Sequence, residues 1–160
     1  MERTVRREVV LDTTAEELWT LLTDPAELGG WLGDEVQLDP TPGGAASVLA
    51  GDGTVRHGRV VEAEAGRRLG FTWWPADDER VASTVRFTID QEGERTRLTV
   101  VETLPEPSAS LRTGAGRKGS GRNGAAKACS LADAGAAWDD RLLGLEVRML
   151  ARATPVLALA

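Results

Sequence analysis

Hydrophobic and polar positions alternate from residue 4 to 11, with Val5, Arg7, Val9 and Leu11 on one face and Arg6, Glu8 and Val10 on the other. A period of two with this many β-branched residues predicts a strand. The period then lengthens, and Leu18, Trp19, Leu21 and Leu22 recur at helical spacing over Ala15–Thr23. Thr14 and Glu17 stand at the spacing of a capping box, in which hydroxyl and carboxylate each satisfy an orphan backbone N–H. Asp24-Pro25 puts a capping acid before a proline suited to the first helical position, so a second short helix is predicted over 26–31, limited by Gly29-Gly30.

Six short strand patterns follow, at Glu35–Leu38 and at 45–50, 56–64, 68–74, 81–90 and 96–104. Gly, Pro and Asp clusters separate them: Pro40-Thr41-Pro42-Gly43-Gly44, Gly51-Asp52-Gly53, Ala65-Gly66, Pro75-Ala76-Asp77-Asp78 and Glu92-Gly93-Glu94. Strands this close together imply an antiparallel meander. The segment 81–90 alternates most clearly, with Val81, Ser83, Val85, Phe87 and Ile89 on one face. Helical spacing returns after residue 130: Ser130 with Asp133 forms an N-cap pair, and Trp138, Leu142, Leu145 and Met149 form one apolar stripe. Leu143, Val147 and Leu150 lie beside that stripe and widen it, and Pro155 should end the helix near Ala153. The architecture expected is α+β: a twisted antiparallel sheet with one face buried under a long C-terminal helix, and two short helices closing one end.

Composition narrows the function. The chain has 160 residues, 41% hydrophobic and 28% charged, which is the balance of a globular protein and fits one domain, 1–160. The net charge of −6 is uneven: residues 111–130 carry +5 from Arg112, Arg117, Lys118, Arg122 and Lys127, leaving −11 for the rest. No nucleic-acid contact is therefore expected from the folded body. The stretch 105–130 reads as a Gly-rich basic loop without aromatics for base stacking, and its GAGRKGSG lacks the residues of a phosphate-binding loop. One cysteine allows no intrachain disulfide. No apolar run is long enough for a membrane span, the tail 154–160 included, and MERTVRREVV has no apolar signal core. A cytoplasmic protein is expected.

The stretch VRREVVLDTTAEELWTLLTDPAELGGWLG resembles the opening of START-like (SRPBCC) domains, in particular bacterial domains similar to the activator of heat-shock protein 90 ATPase. PTPGGAASVLAGDGTVRHGRVVEAEAGRRLGFTWW, STVRFTIDQEGERTRLTVVETL and GAAWDDRLLGLEVRML resemble later parts of the same family, in the same order. The resemblance covers Arg3 to Leu104 and Leu131 to Ala151; the basic loop and the apolar tail depart from it. It implies a helix-grip (START/birch-pollen-allergen-like) fold with an apolar cavity between sheet and helix. Members are similar in fold to lipid-transfer proteins, hormone receptors and polyketide cyclases, but share no catalytic set.

Three functions stay open. In the leading one, a small apolar or amphipathic ligand is held by Leu22, Trp31, Leu32, Leu49, Phe71, Trp73, Val85, Phe87, Leu142, Leu145 and Met149. Trp73 is the pocket tryptophan because it shares a face with Leu69 and Phe71; Trp74 then faces outward, where it needs cover or marks a bulge. Trp19 and Trp138 read as core. The second function is cofactor-free cyclase, aromatase or hydrolase chemistry, for which His57 with Glu62 or Glu102 is the available acid–base pair. His57 reads as a solvated strand-start residue, and each glutamate is expected to face outward because burying a lone carboxylate is costly. The third is a chaperone-cofactor role, in which the outer surface meets a protein partner or a second copy. Cys129 has no histidine or asparagine tied to it, and no metal or cofactor is expected.

Overall fold

The computed structural model describes residues 3–50, 53–105 and 131–153. The segments 106–130 and 154–160 lie outside them, and with them the Ser130 cap, Cys129, the basic loop and the apolar tail. The alternating segments form seven strands: β1 (Arg3–Leu11), β2 (Glu35–Leu38), β3 (Ala45–Leu49), β4 (Val55–Glu64), β5 (Arg68–Pro75), β6 (Ser83–Glu92) and β7 (Arg95–Leu104). The helices are α1 (Ala15–Thr23), α2 (Pro25–Leu28) and α3 (Leu131–Ala153). The fold is the expected α+β helix grip. One antiparallel sheet runs in the order β1-β7-β6-β5-β4-β3-β2, so the first strand joins the last, and α3 packs on β1.

Local chemistry sets the boundaries. The Thr14 hydroxyl accepts from the Glu17 N–H and caps α1, while the Glu17 carboxylate accepts from Thr13 Oγ1 at 2.6 Å. Asp24 caps α2 through the Ala26 N–H. α2 ends at Leu28, three residues short of the expected 31, where Gly29-Gly30 follow. The side chain of Arg148 crosses the bare face of Gly30 and donates to Glu27 Oε2 at 2.8 Å, tying α2 to α3. The turns into β5 and β7 place Gly66 and Gly93 at φ of +75° and +63°, which suits glycine.

Four expectations need correction. Val81 lies in a 3-10 turn, Glu79–Val81, and is exposed; Asp78 caps that turn through the Arg80 N–H, which delays β6 to Ser83. Leu143, Val147 and Leu150 do not widen the buried stripe: they are 59%, 57% and 69% exposed, whereas Trp138, Leu142 and Leu145 are buried. Leu49 lies on the face of β3 opposite buried Val48. Glu102 faces the interior.

Candidate functional site

Antiparallel pairing carries one side-chain row across the inner face: Val60 on β4, Phe71 on β5, Val85 on β6, Glu102 on β7 and Val5 on β1. All but one are apolar. Glu102 is 4% exposed, and three donors surround its carboxylate. Oε1 accepts from Ser83 Oγ at 2.7 Å and from Trp73 Nε1 at 3.0 Å; Oε2 accepts from Trp138 Nε1 at 2.7 Å. The Trp73 N–H also reaches Ser83 Oγ at 2.9 Å. An indole N–H can only donate, so the two tryptophans oblige both carboxylate oxygens to accept. The residues come from β5, β6, β7 and α3, and the node therefore stitches the long helix to the sheet. Among the described residues, every buried side-chain N or O atom has a partner.

The ring faces are occupied as well. Trp73 and Trp138 stack with centroids 6.1 Å apart, and Phe87 and Phe71 meet them edge-on. Gly58 lies opposite Trp73 in the ladder; a Cβ there would come within 2.8 Å of the Thr72 carbonyl and 3.3 Å of Trp73 Cβ. The Arg56 guanidinium sits 4.8 Å from the Trp73 centroid. Arg141, from α3, sits 5.1 Å from the same ring and 5.0 Å from that of Trp138. Trp73 thus meets two cations and Trp138 one at the electron-rich face, and each indole gives its N–H edge to the carboxylate.

Beside this node lies a largely apolar cavity lined by Leu22, Leu28, Leu32, Val36, Leu38, Ala46, Val48, Gly58, Phe71, Trp73 and Phe87, together with the polar Gln37, Ser47, Arg56 and His57. Its volume is about 10 Å³, room for one water-sized sphere. The apolar cavity that the resemblance implies is nearly filled here by the side chains that line it. Of the residues expected to line it, Leu22, Leu32, Phe71, Trp73 and Phe87 do. Trp31, Val85, Leu142, Leu145 and Met149 belong to the surrounding core, with the Trp31 N–H donating to the Leu21 carbonyl at 3.1 Å. Leu49 gives its place to Val48. Arg56 and Arg141 carried no sequence signal beyond their charge, because their roles depend on cross-strand and helix–sheet contacts.

The acid–base pair is not assembled. His57 is exposed, opposite Ser47 and Trp74 in the ladder, and is among the residues that line the small cavity. Glu62 is outward, as expected, and reaches Arg68 and Arg86 at 3.4 Å each. No described hydrogen bond or ion pair joins His57 to either glutamate. Carboxyl groups held below their ordinary range lie on the surface: Glu8 through its hydrogen bond from Arg6, and Asp78 through its bonds from Arg80. No cluster of three or more His, Cys, Asp or Glu able to hold a metal occurs among the described residues. No helix among them is long and apolar enough to cross a membrane.

Against this geometry, the sequence model of the family described as "Activator of Hsp90 ATPase homolog 1-like protein" matches residues 12–127. Comparison with curated proteins gives no match. Among solved structures, a Mesorhizobium loti protein superimposes with a TM-score of 0.73 at 22% identity, over 95% of this chain and 99% of its own. A protein from the dynemicin biosynthetic locus gives 0.72 at 25% identity; 97% of this chain is covered but only 49% of that one. An HSP90 activator from Plasmodium falciparum gives 0.68 at 19% identity, over 91% of this chain and 95% of that one.

Proposed function

For a chain that belongs to the activator of Hsp90 ATPase homolog 1-like family, we propose a small-molecule-binding role, with an apolar or amphipathic ligand held between sheet and helices. The observation that carries this reading is the cavity itself: a largely apolar space whose lining includes Trp73 and the polar Gln37, Ser47, Arg56 and His57. Its walls are unequal. On one side stand the long strands β4 and β5. On the other stand α2, a single turn of four residues, and β2, a four-residue edge strand. These are the shortest elements around the cavity, and entry of a ligand would require this second wall to move. Binding would then be driven by apolar area removed from water.

Native mass spectrometry of the protein purified from its own host tests this. A bound mass that disappears on denaturation is expected. A bare mass, together with unchanged tryptophan fluorescence on titration with apolar probes, overturns the reading.

A protein-interaction role has one observation in its favour. Leu143, Val147 and Leu150 form an exposed apolar stripe on α3, beside a shallow groove that also includes Asp140 and Arg148. Retention of the heat-shock chaperone on the immobilised protein, lost on Leu143→Glu, is the result this role requires.

A further inference from the structure

We propose that the free edge of β2 is a docking strip for an extended basic segment of a partner protein, taken up by strand addition; this goes beyond the binding role above and needs no ligand in the cavity. β2 ends the sheet and pairs only with β3. The Asp39 N–H donates to the Ala45 carbonyl at 3.0 Å, and bonding sides alternate along an antiparallel ladder. The N–H and C=O groups of Val36 and Leu38 therefore point away from β3. Among the described residues, no backbone bond from another element reaches them. Edge strands are commonly guarded by cations, and β1, the opposite edge, follows that rule with Arg3, Arg6 and Arg7. β2 has neither a cation nor a proline.

Beside this edge runs a groove of about 460 Å³, with Pro25, Ala26, Gly29 and Gly30 on one bank and residues 34–37 on the other. Asp34 and Glu35 are exposed, and none of the described ion pairs involves either. Arg148, which also lines the groove, donates to Glu27 and to the Ala26 carbonyl. The edge thus presents backbone donors and acceptors beside two carboxylates that no described cation matches. A segment that met both features would be extended, with Lys or Arg opposite Glu35 and small apolar side chains opposite Val36. A second copy paired through the same edge would crowd four carboxylates together, which selects a basic partner over self-pairing.

The test uses the whole protein and a short peptide of alternating lysine and valine, blocked at both ends, followed by amide NMR and by fluorescence anisotropy of a dye-labelled form. Binding is expected to move the amides of residues 34–38 first. In antiparallel addition the valines opposite Val36 and Leu38 donate to β2, so N-methylation of the valines abolishes binding, and glutamate in place of lysine does the same. Asp34→Lys combined with Glu35→Lys, both at exposed positions, weakens binding about fivefold or more. No binding by the lysine–valine peptide, equal binding by its N-methylated form, or shifts centred away from residues 34–38 overturns the docking strip. The cavity reading is tested separately: the failure of either leaves the other standing.

Discussion

Two glutamates sit within apolar stretches of strands that β5 and β6 separate in the sheet, and meet opposite fates. Glu62 on β4 points outward and shares two long contacts, with Arg68 and Arg86. Glu102 on β7 points inward and is gripped by two indoles and a hydroxyl. The β4–β5 ladder shifts register between Val60 and Glu62, and without that irregularity Glu62 would follow buried Val60 to the inner face. β7 has no such shift against β6, and strict alternation carries Glu102 along with Leu98, Val100 and Leu104. One carboxylate is turned out by a bulge. The other is kept in because the structure supplies donors for it. The difference teaches that face, then partner, decides what a charged residue in a strand does.

Replacement of the inner glutamate should have the largest effect. Glu102→Leu leaves the Trp138 N–H and the Ser83 hydroxyl buried without an acceptor, while Trp73 keeps Ser83; a loss of about 2–4 kcal/mol is expected in urea unfolding. A loss under about 0.5 kcal/mol would mean that the node is not needed for stability. Trp138→Phe keeps a ring in the stack but removes one donor from Oε2, at an expected cost of about 1–3 kcal/mol with a blunted near-ultraviolet circular dichroism signal. Gly58→Ala should cost about 1–3 kcal/mol, since the added carbon meets the Thr72 backbone rather than a movable side chain. At the outer face, Glu62→Gln should change stability by less than about 0.5 kcal/mol; a larger loss would erase the contrast between the faces.

The smallest effect is electrostatic. The Asp78 carboxyl should titrate below the ordinary aspartate range in NMR, and Arg80→Gln should return it there. Because the folded value is lowered, whatever stability the pair adds is present above the unfolded value and lost as pH falls through the folded one. Insensitivity of Asp78 to that substitution would assign the shift to another cause.

Much of the fold was legible because its elements are periodic and punctuated. Caps, prolines and glycines located α1 and the turns, and alternation located every strand to within about two residues. The errors share a physical origin. Val81 continues the alternation of β6, yet a cap from Asp78 made one turn of helix there instead. On α3, two apolar stripes lie side by side, and spacing alone does not say which the sheet covers. Val48 and Leu49 are adjacent and both apolar, so composition does not choose the inner face of β3. Glu102 was legible by parity but overruled by the cost of burying a carboxylate; that cost is met by Trp73, Ser83 and Trp138, which are distant in sequence. Arg56 and Arg141 are brought to one ring only by tertiary packing.

The pairing of β1 with β7 has a consequence for how the chain reaches this state. Arg3 is opposite Leu104 and Leu11 is opposite Thr96, so the first strand has no neighbour in the sheet until the last has been made. On a ribosome, β1 emerges early and waits through the synthesis of β2 to β6 with its Val5, Val9 and Leu11 uncovered. Closing so long a loop adds little to the equilibrium cost, which grows only with the logarithm of length, but it slows the search. The order of strands thus sets a clock: β2 to β6 can form as successive hairpins, and the sheet acquires its second edge only when β1 is captured by β7.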